Sequence, residues 1–173
     1  AYGEVVLAAI GRVPNTDADW FRSSGLKLDE RGYVTVDGYG RTNLDGVWAL
    51  GDITPGHALA HRAFEQGITI AEKIAGADPK PVIDDTVPQV VFSFPEAASV
   101  GLTLDQAKAR EDVVEPKETA YPMLSNARML MSGEGGSMTV VSGAFANNPD
   151  MQVVLGVHIV SPIASDLIAE AEQ

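Results

Sequence analysis

The sequence predicts an α/β segment over residues 1–80, followed by an α+β domain with an antiparallel sheet over residues 81–173. In the first part, an apolar run ends in Gly51-Asp52 and a long helical pattern follows within a few residues. This order is typical of a strand that leads into a helix in a doubly wound fold. In the second part, two apolar runs flank a turn signal, which indicates an antiparallel hairpin. Residues 77–81 contain two prolines and are predicted to be the linker.

Composition excludes several classes of function. The 173 residues carry 12 Lys and Arg against 24 Asp and Glu, a formal net charge of -12. Such a field repels phosphate backbones, so we expect no nucleic-acid partner. Because cysteine is absent, this stretch cannot form disulfides, zinc–thiolate sites or a catalytic thiol. No apolar run approaches the ~18 residues of a membrane span, so no membrane partner is expected, and the cytoplasm fits this composition.

The elements of the first part follow from local patterns. Residues 4–10 form an apolar run that predicts a strand, and the Gly and Pro of residues 11–15 end it. Residues 19–26 predict one or two helical turns, and residues 33–36 an edge strand or hairpin arm. A strand ending at Gly51 then leads to a helix from about residue 57 to residue 75. Apolar residues spaced three and four apart share one face of that helix: Ala60, Phe64, Gly67, Ile68, Ala71 and Ile74.

The second part alternates strands with short helices. Residues 89–94 predict a strand, and Thr103-Leu104-Asp105-Gln106 has the form of a capping box that opens a helix to about residue 110. The apolar runs 138–145 and 153–160 flank a turn signal at residues 147–150.

Both ends of the sequence look like cuts through a longer polypeptide. The run at residues 4–10 begins without an initial Met. At the other end, Ser161-Pro162 predicts the start of a helix whose spacing continues to Gln173 without a glycine cap. We therefore expect this chain to be a piece of a larger protein.

Asp52 is the strongest single candidate for a ligand-binding residue. A carboxylate at the carboxyl end of a strand can accept hydrogen bonds from a ribose or another polyol. The alternative is that Asp52 caps the following helix or turn. A strand, a loop and a helix in this order favour the ligand, and they favour a nucleotide cofactor in particular.

The residues that open the long helix form the second candidate. Backbone N–H groups from Ala58 through Leu59 and Ala60 to His61 would have no partner within the helix, and the helix dipole adds positive charge there. Such a site suits an acceptor oxygen or a group that gains negative charge during a reaction. A solvated helix end is the alternative, and the close approach that Pro55-Gly56 permits favours the ligand.

Other polar residues predict neither a metal site nor catalysis. His57, His61 and Glu65 are spaced to face one side of a helix, but no suitable fourth ligand follows them. We therefore expect no metal site. His158 lies within an apolar strand, which favours a packed histidine over a catalytic one. No pair of groups is arranged for acid–base work, so the prediction for catalytic residues is none.

Several motifs in order resemble the second half of the flavoprotein disulfide reductases. The matching segments are residues 9–15, residues 42–52 and residues 59–63, then residues 95–103, 125–128 and 155–159. Together they extend over almost the whole chain, and within the family they are most similar to the dihydrolipoyl dehydrogenase branch. The resemblance implies the end of the FAD- and NAD-binding doubly wound region, followed by an interface domain that dimerises.

The resemblance also implies roles for single residues. Asp52 at the Gly51 turn would bind the ribityl part of FAD, and residues 58–61 would meet the flavin. The helix start would favour negative charge at the flavin N1–C2 carbonyl edge. Gly11 would lie near the nicotinamide of NAD, and the residues from about Asp85 onward would form most of a homodimer interface.

The family's catalytic residues lie outside this sequence. The glycine-rich FAD fingerprint, the redox-active cysteine pair and the catalytic His-Glu pair are not in it, so the segment alone should be inactive. The resemblance implies a dihydrolipoyl dehydrogenase that serves 2-oxoacid dehydrogenase complexes. The alternatives are a mercuric or low-molecular-weight disulfide reductase, or a module that only dimerises.

Overall fold

The structure, a computed structural model, describes residues 2–171, so the predicted helical continuation to Gln173 and the outermost domain limits at Ala1 and Gln173 lie outside it. The chain forms two compact units, Ala1–Val82 and Ile83–Gln173. We call them the amino-terminal and carboxy-terminal units and describe each by itself.

The amino-terminal unit consists mainly of turns packed on a small core. Its helices are α1 (Asp19–Arg22) and α2 (Ala60–Ile74), with a 3₁₀ turn at Gly51–Ile53. Isolated bridges join Leu28 to Val34 and Arg41 to Trp48, so residues 33–36 form only a short hairpin arm. The buried core consists of Phe21, Val34 and Ala49.

The predicted strand at residues 4–10 is wrong. These residues have no strand assignment, and Val5, Leu7 and Ile10 are 87%, 90% and 99% exposed. A continuous apolar run is typical of a strand buried on both faces of a parallel sheet. Among the described residues of this unit no such sheet exists, so the run has nothing to pair with. For the same reason, the predicted strand before Gly51 is reduced to the bridge at Trp48.

Helix α2 begins three residues later than predicted, at Ala60. Its predicted apolar face exists, but it faces solvent, since Phe64, Ile68 and Ile74 are 71%, 53% and 59% exposed. The buried side carries Arg62, Thr69 and Ile70 instead. Spacing identified the face correctly, whereas the partner that would cover it is not determined by spacing. Within residues 2–171, no helix combines the length and the apolar character that crossing a membrane requires.

The carboxy-terminal unit is built on one antiparallel sheet of five strands in the order β1-β2-β5-β4-β3. Three short helices, α3 (Leu104–Ala109), α4 (Ala127–Ser132) and α5 (Ala164–Leu167), accompany it. Further 3₁₀ turns occupy Asp84–Thr86, Met123–Ser125 and Ile168–Ala171. The strands are β1 (Gln89–Val91), β2 (Glu96–Gly101), β3 (Val113–Pro122), β4 (Ser137–Phe145) and β5 (Asn148–Ser161). The α+β class predicted for this part of the chain is confirmed.

Strand register places the apolar residues on one face of the sheet. Ala98 lies opposite Ile159, and Val100 lies opposite Val157. These four side chains are buried because helices and turns from later in the chain cover them. The main core is the cluster Ala98, Val100, Met123, Met129, Val157, Ile159, Ala164 and Ile168.

The predicted capping box at Thr103 is confirmed. The Thr103 hydroxyl accepts from the Gln106 backbone N–H at 3.3 Å, and the Gln106 side-chain oxygen accepts from the Thr103 N–H at 2.8 Å. Helix α3 places Ala107, which is fully buried, in a second core cluster with Leu102. The capping box therefore stabilises the helix that carries this cluster.

Two paired glycines allow the chain to cross back over the sheet before α3. Gly101 and Gly156 lie opposite each other in β2 and β5. A Cβ on Gly101 would collide with the Leu155 backbone, and one on Gly156 with the Leu102 backbone. The crossing is also held by Leu102, whose N–H donates to the Leu155 carbonyl at 2.8 Å. Only residues without side chains allow this approach.

The predicted hairpin is confirmed, but its turn is earlier and tighter. Strand β4 ends at Phe145, which pairs with Asn148, the first residue of β5. Pro149 and Asp150 therefore belong to β5, where the sequence predicted a turn. The last helix also begins later than predicted, because Ser161 is still part of β5 and α5 starts at Ala164.

Candidate functional site

The candidate site is built on a tight turn at Gly51. This residue is buried and has φ +73°, a left-handed conformation that favours glycine. A Cβ there would lie 3.3 Å from Ala63 Cβ of α2, which is tighter than ordinary contact. The Gly51 N–H donates to Gln66 Oε1 at 2.8 Å. The turn is therefore fixed against the second turn of α2.

Two further hydrogen bonds hold the loop between this turn and α2. The Thr54 hydroxyl, 1% exposed, donates to the Gly51 carbonyl at 2.8 Å. Arg62 is 5% exposed, and its Nη2 donates to the Pro55 carbonyl at 2.6 Å. Burying a guanidinium removes its hydration, and its hydrogen bonds must offset that cost. Hydrogen bonds within the protein therefore fix the conformation of the loop.

Asp52 lies at the second position of the turn, and its side chain is exposed. The sequence placed it at the end of a strand, whereas the structure places it in a 3₁₀ turn that follows an isolated bridge. Its carboxylate is nevertheless presented from a loop whose backbone is hydrogen-bonded to α2. It can therefore accept hydrogen bonds from a bound molecule.

Helix α2 starts at an apolar N-cap residue. Leu59 is the N-cap with extended φ and ψ, and it supplies no side-chain cap. The first intrahelical bond runs from the Ala63 N–H to the Leu59 carbonyl at 3.1 Å. Ala58, Ala60 and His61 are exposed and Leu59 is half-buried. With 15 residues behind it, this helix start carries partial positive charge directed outward.

The structure thus brings together six of the seven predicted cofactor-binding residues. Gly51, Asp52 and residues 58–61 all lie on one loop and one helical turn. Gly11 is different, because it lies in the exposed segment without strand structure and nothing approaches within 4 Å of the position its Cβ would take. A role for Gly11 at a nicotinamide remains a prediction.

Sequence reasoning missed the residues that hold the loop. Thr54 and Arg62 were not selected, and neither was Gln66, although each bonds to a backbone group of the loop. Thr54 directly precedes Pro55-Gly56 and could have been found as a turn residue. Nothing local identifies Gln66, which acts across 15 residues.

Outside the candidate site, the sequence had singled out possible metal ligands and His158. Among residues 2–171, no group of three or more His, Cys, Asp or Glu is placed to hold a metal ion. His158 is half-buried, and its Nε2 lies 3.2 Å from the Leu102 carbonyl, so it is a packed histidine as predicted. A cleft of about 370 Å³ in the amino-terminal unit lies between residues 41–48 and the end of α2, and its lining does not include Asp52.

The loop and helix start together fit a molecule that has both hydroxyl donors and an acceptor edge. The Asp52 carboxylate accepts from hydroxyl groups, while the positive end of α2 favours an electron-rich edge. The ribityl chain and the carbonyl edge of a flavin combine these two features. The residues present therefore fit the cofactor that the resemblance implies.

Family models match both parts of the chain. The pyridine nucleotide-disulphide oxidoreductase model matches residues 2–67, and the dimerisation-domain model of the same family matches residues 87–173. The chain is 42% identical to a dihydrolipoyl dehydrogenase from Cupriavidus necator and 40% identical to one from Geobacillus stearothermophilus. Each match covers 96% of this chain and 34% of the relative, so the chain spans about a third of the length of these curated relatives.

Solved structures agree with the family models. The crystal structure of LpdA from Mycobacterium tuberculosis matches 95% of this chain and 34% of its own, with a TM-score of 0.81 and 33% identity. The HOCl-induced flavoprotein disulfide reductase RclA from Escherichia coli shares the fold, with a TM-score of 0.78, 24% identity and coverage of 95% of this chain and 37% of its own. The resemblance to flavoprotein disulfide reductases is confirmed, and the chain belongs to the pyridine nucleotide-disulphide oxidoreductase family.

Proposed function

We propose that this chain is a segment of a dihydrolipoyl dehydrogenase that oxidises dihydrolipoamide and reduces NAD. The observation that carries the proposal is the identity of 36–42% to several proteins of that name along nearly the whole chain. The match to the pyridine nucleotide-disulphide oxidoreductase model supports FAD and NAD as the cofactors. Bound FAD would supply the two-electron relay between the dithiol and NAD.

The chain's own contribution is to hold and polarise the flavin. Asp52 would accept hydrogen bonds from ribityl hydroxyls, and Gly51 would keep its turn tight against α2. The first turn of α2, from Ala58 to His61, would favour negative charge at the N1–C2 carbonyl edge and so favour the reduced cofactor. Gly11 would lie near the nicotinamide. No residue of this segment is proposed to transfer a proton or to act as a nucleophile.

The carboxy-terminal unit would form a homodimer, which its match to a dimerisation-domain model supports. The partners proposed for the whole protein are components of 2-oxoacid dehydrogenase complexes, in the cytoplasm. The domain assignment follows the same division, with residues 1–80 completing the NAD/FAD-binding region and residues 81–173 forming the interface domain.

Flavin titration tests the cofactor site. We expect the purified chain to quench FAD fluorescence, and we expect Asp52→Ala to abolish the quenching. Asp45→Ala is the matched control, because Asp45 is also an exposed acid on a turn of the same unit. Quenching that survives Asp52→Ala would contradict the assignment. Unchanged fluorescence together with a dimeric sedimentation profile would favour the alternative module that only dimerises.

Substrate assays test the reaction itself. We expect the enzyme that contains this segment to reduce NAD with dihydrolipoamide as donor. The competing proposals within the family are mercuric reductase and low-molecular-weight disulfide reductase. Faster turnover with mercuric ion or with a small disulfide as acceptor would overturn the proposed substrate while leaving the flavin site intact.

A further inference from the structure

Two Asp-Gly sequences lie in the amino-terminal unit, at Asp37-Gly38 and at Asp45-Gly46. An aspartate that precedes glycine can convert slowly to isoaspartate, because glycine has no side chain to keep its backbone nitrogen away from the aspartate carboxyl carbon. The reaction requires a carboxyl group that is free to turn and room around the glycine. The two sequences differ in both respects.

The Asp37 carboxylate is held by the backbone of its own turn. Its Oδ1 accepts from the N–H groups of Tyr39 and Arg41, each at 2.9 Å. Such local hydrogen bonds fix the side chain of an aspartate in a turn. Room is limited as well, since a Cβ on Gly38 would contact Pro81 Cβ at 3.5 Å. Attack on the carboxyl carbon of Asp37 is therefore hindered.

Asp45 and Gly46 occupy the tip of a second turn, and this one is open. The Val47 N–H donates to the Leu44 carbonyl at 3.2 Å, and Gly46 has φ +72°, the positive angle that a type II turn requires at its third position. Asp45 and Gly46 are both exposed. Apart from its chain neighbours, no described atom lies within 4 Å of the position that a Cβ on Gly46 would take. Within residues 2–171, no hydrogen bond or ion pair holds the Asp45 carboxylate.

We propose that Asp45 is a site of spontaneous conversion to isoaspartate in the folded protein, whereas the fold protects Asp37. The Gly46 nitrogen forms a bond to the side-chain carboxyl carbon of Asp45, and its proton leaves with a carboxyl oxygen as water, which gives a succinimide ring. Water then adds to the ring carbonyl that belonged to the main chain and breaks the bond from that carbonyl to the Gly46 nitrogen. The main chain now continues through the former side chain. One water leaves and one returns, so no oxidant or cofactor is needed, and the conversion is independent of the reaction proposed above.

The conversion changes the turn that carries it. Isoaspartate lengthens the main chain between Leu44 and Val47 by one carbon, so the hydrogen bond that closes the turn cannot keep its geometry. The Thr42 hydroxyl donates to the Val47 carbonyl at 2.8 Å, and this bond is displaced with it. The bridge from Arg41 to Trp48 follows directly, so pairing there should weaken as the protein ages.

Peptide mapping of aged protein tests the proposal. The protein that contains this chain is incubated in neutral buffer in its folded state and, in parallel, unfolded in guanidinium chloride. Isoaspartate at each site is then quantified with an isoaspartyl-specific methyltransferase and mass spectrometry. In the folded protein, Asp45 should convert about tenfold or more faster than Asp37, because the two hydrogen bonds of Asp37 must break first. In the unfolded protein the two sites should convert at similar rates.

Three results would overturn the proposal. The first is equal conversion of the two sites in the folded protein, and the second is conversion of Asp45 only after unfolding. The third is an equally large difference between the sites in the unfolded protein, which would assign the difference to neighbouring sequence and not to the fold. Asp45→Glu is the matched variant, because glutamate keeps the charge but must close a larger ring, which forms more slowly. It should remove the methyl-acceptor signal of the folded protein, and an undiminished signal would place the modification elsewhere.

Discussion

The backbone N–H of Gly51 donates to the side-chain oxygen of Gln66 at 2.8 Å and so joins the turn that carries Asp52 to helix α2. The two residues are 15 positions apart, and the bond holds the backbone of the turn against the helix. A site that combines a carboxylate with a helix dipole requires the turn to lie close to the helix, because both groups act over short distances.

Replacing Gly51 with alanine should destabilise the amino-terminal unit by about 1–2 kcal/mol, the usual cost of the left-handed conformation for a residue with a Cβ. Its φ is +73° and the added carbon would lie 3.3 Å from Ala63 Cβ. Urea unfolding measures the loss. Gly67→Ala is the control: it lies inside α2 and its Cβ would meet only Leu50 at 4.0 Å, so stability should rise by up to about 1 kcal/mol. Equal effects of the two substitutions would contradict this account.

Thr103→Ala should lower the free energy of unfolding by about 1 kcal/mol, since it removes a confirmed N-cap. The loss reaches the core because α3 buries Ala107 completely. Thr103→Ser retains the hydroxyl and should restore most of the stability. Denaturant midpoints of the three proteins check this. An alanine variant as stable as the original would show that the capping box contributes nothing.

Gly156→Ala should destabilise the carboxy-terminal unit by about 2–3 kcal/mol, because the new Cβ would overlap the Leu102 backbone and force the crossing chain outward. Gly133→Ala provides the comparison: Gly133 has φ +70° but nothing within 4 Å of its Cβ position. It should therefore lose only about 1 kcal/mol, from backbone strain alone. Thermal unfolding of both variants measures the difference, and a larger loss at Gly133 would refute the steric explanation.

Acid should weaken the attachment of α5. The Glu96 carboxylate accepts from the Ser165 backbone N–H at 2.8 Å, and this hydrogen bond lowers the pKa of Glu96 below its usual 4.5. A carboxyl with a lowered pKa in the folded state stabilises the fold above pH 4.5, and that contribution disappears as the pH falls through the folded-state pKa. Hydrogen exchange of the Ser165 amide should therefore gain protection between that pKa and pH 4.5.

Glu96→Gln is the matched variant for this test, because its amide oxygen can still accept the hydrogen bond but does not titrate. Its Ser165 protection should be independent of pH over the same interval. Asp166→Asn is a control on α5 itself and should leave the pH dependence unchanged. If the pH dependence persists in Glu96→Gln, another titrating group is responsible for it.

Local patterns predicted the parts of the fold that local forces build. The capping box at Thr103 and the hairpin of β4 and β5 were found because their signals lie within a few residues of one another. The strand at residues 4–10 was wrong because a strand needs a neighbour that its own sequence does not specify. The apolar face of α2 was identified, but its exposure could not be, since exposure depends on what packs against Phe64 and Ile68.

The candidate site divides in the same way. Asp52 and the helix start were predicted because the motif is contiguous. The residues that hold them were not, because Gln66 bonds to a residue 15 positions away and sequence spacing does not reveal such a contact. The buried Arg62 was missed for a further reason: a charged residue on a helix is expected to face solvent, whereas here its Nη2 donates to the Pro55 carbonyl.

The order of strands in the sheet has a consequence for synthesis of the chain. Strand β2 is complete at Gly101, yet one of its two partners, β5, begins only at Asn148. While the ribosome adds the intervening residues, one edge of β2 has nothing to pair with, and the later cover of Ala98 and Val100 does not yet exist. A nascent chain in this state exposes an unpaired strand edge, which makes it prone to aggregation. Translation speed across residues 102–147 should therefore govern how much of the protein is recovered folded.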